Sequence, residues 1–264
     1  QGKWPLDGVE AAADKAAQVL AAFRQAGNAV IHVRHEFTAE DAPFFTPGSA
    51  GAHLHAKVLN KANEPLVLKH FVNAFRGTDL RALLERRAIT DVVVAGSLPR
   101  GVSPQWFQGL LEQLKRCGLK IALDTSGEAL RAGLKAGPWL VKPNTEELAD
   151  ALGNAPDAIS QLHQQGVEHV VVSDGAAGVS WYSPGASLHA TPPKVAVAST
   201  VGAGDSLLAG MLHGLLTGDT PEQTLRRATA IAAMAVTQIG FGISDHAQLA
   251  RLESGVQVRA LTEQ

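Results

Sequence analysis

The sequence predicts an α/β fold of three layers, in which helices cover both faces of a mainly parallel β-sheet. Short apolar runs alternate with amphipathic segments, the connections between them are short, and several apolar runs end at a glycine or a polar residue. The 264 residues, 45% of them hydrophobic, can bury a large core. We expect one composite domain, residues 1–264, that binds ligands beyond the carboxyl ends of its strands.

The amino-terminal part begins with an alanine-rich helix that Asp7 caps and Gly27 ends. Residues 35–64 carry several Pro, Gly and His without a clear period, which favours a lid or a site wall. The predicted elements of this part are a helix at 8–25, strands at 29–33 and 65–69, a helix at 78–87 and a strand at 91–96. Since the chain begins at Gln1 without a methionine, we expect that part of the first structural unit is absent.

The alternation of strands and helices continues beyond residue 96. Ser103 and Pro104 are typical of an N-cap and a first helical residue. The predicted helices lie at 104–116, 127–136, 144–152, 158–165, 207–216 and 221–238. The predicted strands lie at 120–124, 139–141, 167–172 and 195–199, with an antiparallel pair at 178–182 and 187–189. The residues at carboxyl ends of strands are then Gly96, Asp124, Lys142 and Ser173.

The segment from Thr200 to Ser206, which opens an apolar helix, is the most informative in the chain. The backbone N–H groups of Gly202, Ala203 and Gly204 can form a pocket for developing negative charge at a helix start. Asp205, beside that pocket, can take a proton from an attacking hydroxyl. These are the parts that phosphoryl transfer requires, although a tight turn with Asp205 as its N-cap has the same sequence.

A loop of small residues directly follows the strand at 167–172. It consists of Ser173, Asp174, Gly175, Ala176, Ala177 and Gly178. Such a loop can admit the phosphates or the ribose of a nucleotide, although a glycine-rich β-turn has the same composition. After the last predicted helix, Phe241–Gly242–Ile243 can cover an adenine ring or pack on the core.

Asn144 and Glu147 lie one helical turn apart, directly after a strand. Their side chains can hold a hydrated magnesium ion through outer-shell water. An N-cap with its capping-box partner explains the same spacing, so both interpretations stay open.

Composition excludes several classes of partner. A net charge of −2 provides no basic surface for nucleic acid, and no apolar run is long enough to cross a bilayer. Small soluble ligands are therefore the expected partners, and an exposed strand edge would favour a homodimer. Cys117 is the only cysteine, which excludes an internal disulfide and a cysteine metal cluster and favours a reducing cytoplasm.

Four motifs occur in a characteristic order, and the long stretch at 138–144 makes the pattern specific. They are Gly96 to Gly101, Lys142 to Glu147, Ser173 to Gly178 and Val201 to Ser206. Together they resemble the carboxyl-terminal part of the ribokinase-like (PfkB-type) sugar kinases, most closely the bacterial 1-phosphofructokinases. The resemblance implies that ATP phosphorylates a hydroxyl of a sugar phosphate, with Asp205 as catalytic base and residues 202–204 as anion hole. It also implies that residues 173–178 and Gly204 bind the nucleotide, and that Asn144 and Glu147 position Mg²⁺.

Residues before 91 lack the early Asp, the glycine pair and the small β lid with which such kinases begin. Residues 2–8, 30–35 and 68–80 instead resemble isochorismatase-like cysteine hydrolases. That resemblance implies a catalytic Asp, Lys and Cys, of which only Lys69 is present, since Val102 lies where the Cys is expected. Lys69 can also be a strand-end lysine that reaches solvent, and His53 and His55 are either solvated or a pair of metal ligands.

We interpret the chain as a chimera of two α/β folds with one continuous sheet. An isochorismatase-like segment, 1–95, is joined to a ribokinase-like ATP-binding segment, 96–264, near the strand at 91–96. The alternative is a divergent kinase whose amino-terminal half only looks hydrolase-like. The predicted function is ATP-dependent phosphotransfer, impaired because the sugar-binding part is absent. The other candidates are a fold chimera that at most binds nucleotide, and an isochorismatase-like hydrolase, which the missing Asp and Cys disfavour.

Overall fold

The computed structural model of the protein describes residues 8–42, 45–71, 74–98, 102–239, 242–243 and 245–261. The predicted N-cap Asp7 and the predicted adenine cover Phe241 lie outside these residues. Contacts divide the chain into two compact units, residues 1–89 and residues 90–264. The described strands form two separate sheets, one in each unit, so the expected continuous sheet is wrong.

The first unit contains two helices and a two-stranded parallel sheet. Its elements are α1 (Val9–Gln25), β1 (His32–His35), β2 (Leu66–Lys69) and α2 (Leu80–Arg86), with 3₁₀ turns at Ala50–Ala52 and Ala56–Val58. In the ladder His32 lies opposite Leu66. β1 begins later than predicted, because Pro65, which precedes β2, has no N–H to extend the ladder.

A buried carboxylate, Glu64, joins the elements of the first unit. Arg24 donates two hydrogen bonds of 2.6 Å to it, from Nε and Nη2. His32 Nε2 lies 3.0 Å from Glu64 Oε2, and the backbone N–H of Lys61 donates to the same oxygen at 2.8 Å. These contacts, the Arg24 bonds first, hold the pKa of Glu64 far below its usual range. The carboxylate is therefore paired and hydrogen-bonded, as a buried charge must be.

The second unit is built on a seven-stranded sheet whose strand order follows the chain. The strands are β3 (Asp91–Ala95), β4 (Lys120–Asp124), β5 (Leu140–Val141), β6 (His169–Ser173), β7 (Val179–Ser183), β8 (Ala186–Thr191) and β9 (Gln257–Ala260). The helices are α3 (Pro104–Arg116), α4 (Gly127–Lys135), α5 (Thr145–Leu152), α6 (Ala158–Gln164), α7 (Ala203–Thr217), α8 (Pro221–Val236) and α9 (His246–Gly255). Strands β3 to β6 are parallel and β6 to β9 antiparallel. Together with the parallel pair of the first unit, this confirms the α/β class with a mainly parallel sheet.

Helices pack on both faces of the larger sheet. Along β4, Ala122 belongs to a core cluster with α7 and α8, whereas Leu123 lies against Gly133 of α4 on the other face. Neighbouring residues of a strand point to opposite faces, so this alternation identifies two helical layers. The predicted three-layer arrangement is thus present in the second unit.

Close packing between α7 and α8 fixes the helix that carries the Gly-Ala-Gly-Asp motif. A Cβ on Gly210 would lie 2.6 Å from Ala228 Cα, and a Cβ on Gly214 would lie 2.5 Å from Thr224 Oγ1. Only glycine fits at these two contacts, since interiors leave no room for an added methyl group. These contacts pack the middle and the last turns of α7 against α8.

Two features near the carboxyl terminus differ from the prediction. Residues 195–199 form no strand, because the N–H groups of Ala198 and Ser199 donate to the carbonyl of Val236 at the end of α8. The sequence also did not predict α9 and β9. Leu249 is the only fully buried residue of α9, so its apolar pattern is weak.

Candidate functional site

The predicted polar positions at the strand ends come together at one edge of the larger sheet. Gly96 N–H donates to Asp124 O at 2.9 Å, and Thr125 Oγ1 donates back to Gly96 O at 2.7 Å. Ser173 N–H donates to Pro143 O at 3.1 Å. Because β3 to β6 are adjacent and parallel, their carboxyl ends form a continuous rim.

The start of α7 has the geometry of an anion-binding helix terminus. Gly202 is the N-cap and has φ 79°, a left-handed conformation that favours glycine. Ala203 N–H donates to Thr200 O at 3.3 Å, whereas the N–H groups of Gly204 and Asp205 fall in the first turn, where a helix offers no acceptor of its own. The interpretation of Asp205 as N-cap is wrong, since it is the third residue of the helix. Its side chain is exposed at the positive end of the helix dipole.

Lys142 lies beneath this helix start. Its ammonium is buried and lies 3.2 Å from Asp124 Oδ2. A Cβ on Gly204 would lie only 3.1 Å from Lys142 Nζ. The second glycine of the motif therefore lets the helix backbone approach the ammonium closely.

Sequence reasoning placed Lys142 and Asp124 at strand ends but did not assign them to the site. The signal that could have found them is a charged residue directly after each of two buried apolar runs, residues 121–123 and 140–141. A charge at such a position is buried at the rim unless it pairs.

Groups around Asp124 shift the pKa of its carboxyl in opposite directions. Burial raises the pKa of Asp124, the ammonium of Lys142 opposes that rise, and the carboxylates of Asp205 and Glu147 add to it. The acidic predicted residues Asp205 and Glu147 thus lie within electrostatic range of one aspartate. Among the described residues around Asp124, three carboxylates thus accompany the one ammonium of Lys142.

The structure contains the capping box that was one interpretation of Asn144 and Glu147. Asn144 Oδ1 accepts from Glu147 N–H at 2.8 Å, and Glu147 Oε2 accepts from Asn144 N–H at 2.9 Å. Glu147 Oε1 takes no part in the box. Within the described ranges, no three His, Cys, Asp or Glu side chains are grouped to hold a metal ion directly.

The loop of small residues lies next to Asn144. Ser173 forms a parallel bridge with Asn144, and Thr145 Oγ1 donates to Asp174 Oδ1 at 3.3 Å. The loop closes on itself, with Asp174 N–H donating to Gly178 O at 2.8 Å around a 3₁₀ turn at Gly175–Ala177. It is a tight turn, as the alternative interpretation expected, and it lies at the same rim as the start of α7.

The predicted hydrolase residue lies in the other unit. Lys69 ends β2 and is partly buried, and burial lowers its pKa. Cys117, the only cysteine of the sequence, lies in the second unit at the end of α3. His55 Nε2 lies 3.2 Å from Glu10 Oε1, and its Nδ1 accepts from Lys57 N–H. His53 is exposed and contributes to no metal site among the described residues.

Comparison with known proteins decides the family. The sequence profile described as "pfkB family carbohydrate kinase" matches residues 62–248, more than half of the chain. The chain belongs to the pfkB family of carbohydrate kinases. The matched span contains the start of α7, Lys142, Asn144 and the loop of small residues, and it confirms the predicted family.

Individual relatives point the same way. The 1-phosphofructokinase of Vibrio cholerae is 47% identical over 176 residues, which cover 64% of this chain and 56% of that protein. The 1-phosphofructokinase of Rhodobacter capsulatus is 33% identical over 253 residues, which cover 89% of this chain and 79% of that protein. The chain therefore spans about half the length of the first of these pfkB relatives, whereas the second match extends into residues 1–95.

The fold agrees with the family. The crystal structure of phosphofructokinase-2 from Escherichia coli in complex with potassium has a TM-score of 0.59 and 27% identity, covering 72% of this chain and 70% of that one. A second profile, "Isochorismatase domain", matches residues 2–98 and confirms the other predicted resemblance. The two matched spans share residues 62–98, which contain β2, α2 and β3. In the described part of the chain, no helix combines the length and the apolar character needed to cross a membrane.

Proposed function

We propose that this pfkB chain transfers the terminal phosphoryl group of ATP to a hydroxyl of a sugar phosphate, as the family resemblance implies. The observation that carries the proposal is the buried ammonium of Lys142, 3.2 Å from Asp124 and directly beneath Gly204. The ammonium and the amides at the start of α7 converge on one place, where they would stabilise a phosphoryl group in transfer.

Asp205 is the proposed base. Its carboxylate is exposed on the first turn of α7, within reach of a substrate hydroxyl bound above the rim. As the hydroxyl oxygen bonds to the γ-phosphorus, its proton passes to Asp205. The bond from the γ-phosphorus to the bridging oxygen breaks, and ADP leaves with the electron pair. The amides of residues 202–204 and Lys142 hold the charge of the transferred group.

The loop at residues 173–178 is the proposed nucleotide site, with Gly204 shared between nucleotide and anion hole. The residues from Asp174 to Ala177 are exposed and small, so a nucleotide can approach their backbone closely. The contacts of Asp174 with Thr145 and of Ser173 with Asn144 place this loop beside the proposed phosphate site.

Residues at the rim fit a hydrated magnesium ion. The excess of carboxylates over ammonium among the described residues around Asp124 favours a divalent cation, and Glu147 Oε1, outside the capping box, can accept from a metal-bound water. Bound there, Mg²⁺ would neutralise charge on the phosphate oxygens. An outer-shell role agrees with the absence of a direct three-ligand group among the described residues.

Turnover is proposed to be slow, since the segment that should bind the acceptor matches an isochorismatase domain at residues 2–98. The overlap of the two profiles in β2, α2 and β3 supports a seam there. A chimera that binds nucleotide without catalysis is the second candidate.

A homodimer and a cytoplasmic location remain predictions. Light scattering would test the homodimer.

ADP release in the presence of MgATP, with and without fructose 1-phosphate, tests the proposal. Wild-type protein should release ADP, and Asp205→Ala should lower the rate about a hundredfold to ten-thousandfold. A thermal shift with MgATP should be the same in both, because Asp205 acts on the acceptor. Turnover that persists in Asp205→Ala would overturn the mechanism. A thermal shift without turnover would favour the chimera that only binds nucleotide.

A further inference from the structure

The loop at residues 173–178 is supported from behind by a side chain that none of the motifs contains. His189 lies on β8, opposite Ser180 of β7 in the antiparallel register. Its Nε2 lies 3.1 Å from the carbonyl oxygen of Ala177, the last residue of the 3₁₀ turn. Its Nδ1 lies 3.0 Å from Ser180 Oγ.

The two contacts fix the proton arrangement of a neutral His189 ring. A carbonyl oxygen can only accept, so Nε2–H donates to Ala177 O. Nδ1 then has no proton and accepts from the Ser180 hydroxyl. The two hydrogen bonds therefore form a chain from Ser180 through His189 to Ala177. This chain joins β7 and β8 to the turn between β6 and β7.

The turn packs directly against β8. A Cβ on Gly178 would collide with the carbonyl oxygen of Ala190, and it would lie 3.0 Å from His189 Nε2. Gly178 has φ 120°, which also favours glycine. The chain thus passes against β8 without a side chain between them, and His189 sets the height of the turn above that strand.

We infer that His189 is a positioning residue for nucleotide binding: it holds the backbone at Ala176 and Ala177 where a nucleoside triphosphate would contact it. The inference rests on the proposed function, because that function assigns residues 173–178 to the nucleotide. His189 acts through Ala177, and its described hydrogen bonds are to Ser180 and Ala177, not to the start of α7. Its loss should therefore weaken nucleotide binding and leave the chemical step unchanged.

His189→Phe, His189→Gln and Ser180→Ala are the informative variants. Phe keeps a ring of similar size but removes both hydrogen bonds, whereas the amide of Gln can still donate to Ala177 O. The dissociation constant for MgATP should rise about tenfold in His189→Phe, since two net hydrogen bonds are lost, and stay within about threefold in His189→Gln. Ser180→Ala removes only one of the two hydrogen bonds and should fold normally. Its dissociation constant for MgATP should lie between those of the two His189 variants. The KM for ATP should follow the same order while kcat stays constant.

His163→Ala is the matched control. His163 Nδ1 also contacts a backbone carbonyl, that of Val167 at 2.8 Å, but it lies on α6 away from the turn. It should lower thermal stability without changing MgATP affinity. If wild-type protein binds MgATP and both His189→Phe and Ser180→Ala bind it equally well, the inference is wrong while the proposed function stands. If wild-type protein shows no MgATP binding by calorimetry, the proposed function fails, and the inference fails with it.

Discussion

The ammonium of Lys142 and the carboxylate of Asp124 form an ion pair of 3.2 Å with side chains only 6% and 15% exposed. The pair lies at the carboxyl ends of two adjacent parallel strands, β4 and β5, at the rim where the sites of α/β proteins occur. Removing one partner of such a pair leaves the other buried and uncompensated.

Lys142→Met should therefore destabilise the second unit by about 3 kcal/mol and abolish MgATP binding. Lys135→Met, at an exposed lysine of α4, should change neither quantity. Denaturant unfolding gives the stability, and calorimetry at a temperature where both variants are folded gives the affinity. A Lys142→Met protein that binds MgATP like wild type would remove Lys142 from the site.

A second prediction concerns the left-handed residues that end α1 and α2. Gly27 and Ala88 follow these helices with φ 70° and φ 50°, and each helix ends in the same pattern of hydrogen bonds. Ala88→Gly should stabilise the first unit by about 1 kcal/mol, because an L-residue is strained there. Gly27→Ala should cost a similar amount, and no atom lies within 4 Å of the added Cβ to confuse the result. Hydrogen exchange of the β1 and β2 amides measures both, and equal protection in the two variants would contradict the explanation.

A third prediction is a loss of stability at mildly acidic pH through His169. This side chain is buried, its Nδ1 has no hydrogen-bond partner among the described residues, and its ring packs edge-on against Trp139 with centroids 4.9 Å apart. Burial lowers the pKa of His169, Glu168 opposes this, and Lys120 and His163 add to it.

Below pH 6.5 the unfolded chain takes up a proton at His169 while the folded chain does not, so folding stability falls as the pH drops toward the folded pKa. Above about pH 7 His169 is neutral in both the folded and the unfolded chain, so this loss of stability is absent there. His169→Phe keeps an aromatic ring but has no group that can bind a proton. Its free energy of unfolding should therefore fall less between pH 7 and pH 5 than that of the wild-type protein. Parallel curves for the two proteins would show that His169 does not titrate in this range.

The sequence predicted most elements of both units, and it missed α9 and β9 of the second. β4 lies at the predicted residues 120–124, and Ser103 and Pro104 begin α3 as expected, because capping chemistry and buried runs are local signals. The end of β1 and the separation of the two sheets depend on which strands pair, and no local pattern specifies that.

The same distinction between local signals and contacts distant in sequence applies to the site. Asp205 and the glycines around it were predicted because a helix start has a local sequence signature. Lys142 beneath Gly204 and His189 behind Ala177 were not, since each contact joins residues far apart in the chain. Such contacts follow from the packing of α7 and of β8, and the packing is visible only in three dimensions.

The most direct test of the central claim is the affinity of Gly204→Ala for MgATP, measured by calorimetry beside its unfolding free energy. The added Cβ would meet only Lys142, 3.1 Å from Nζ and 3.8 Å from Cε, so the lysine must shift by a few tenths of an ångström while the helix gains a better helix former. Gly210→Ala is the control, because its Cβ would lie 2.6 Å from Ala228 Cα and should destabilise the fold without touching the site. We predict that Gly204→Ala is at least as stable as wild type and binds MgATP about tenfold more weakly, as the loss of one charged hydrogen bond would give. Unchanged affinity in a stable Gly204→Ala protein would contradict the claim that phosphate binds at Lys142 and the start of α7.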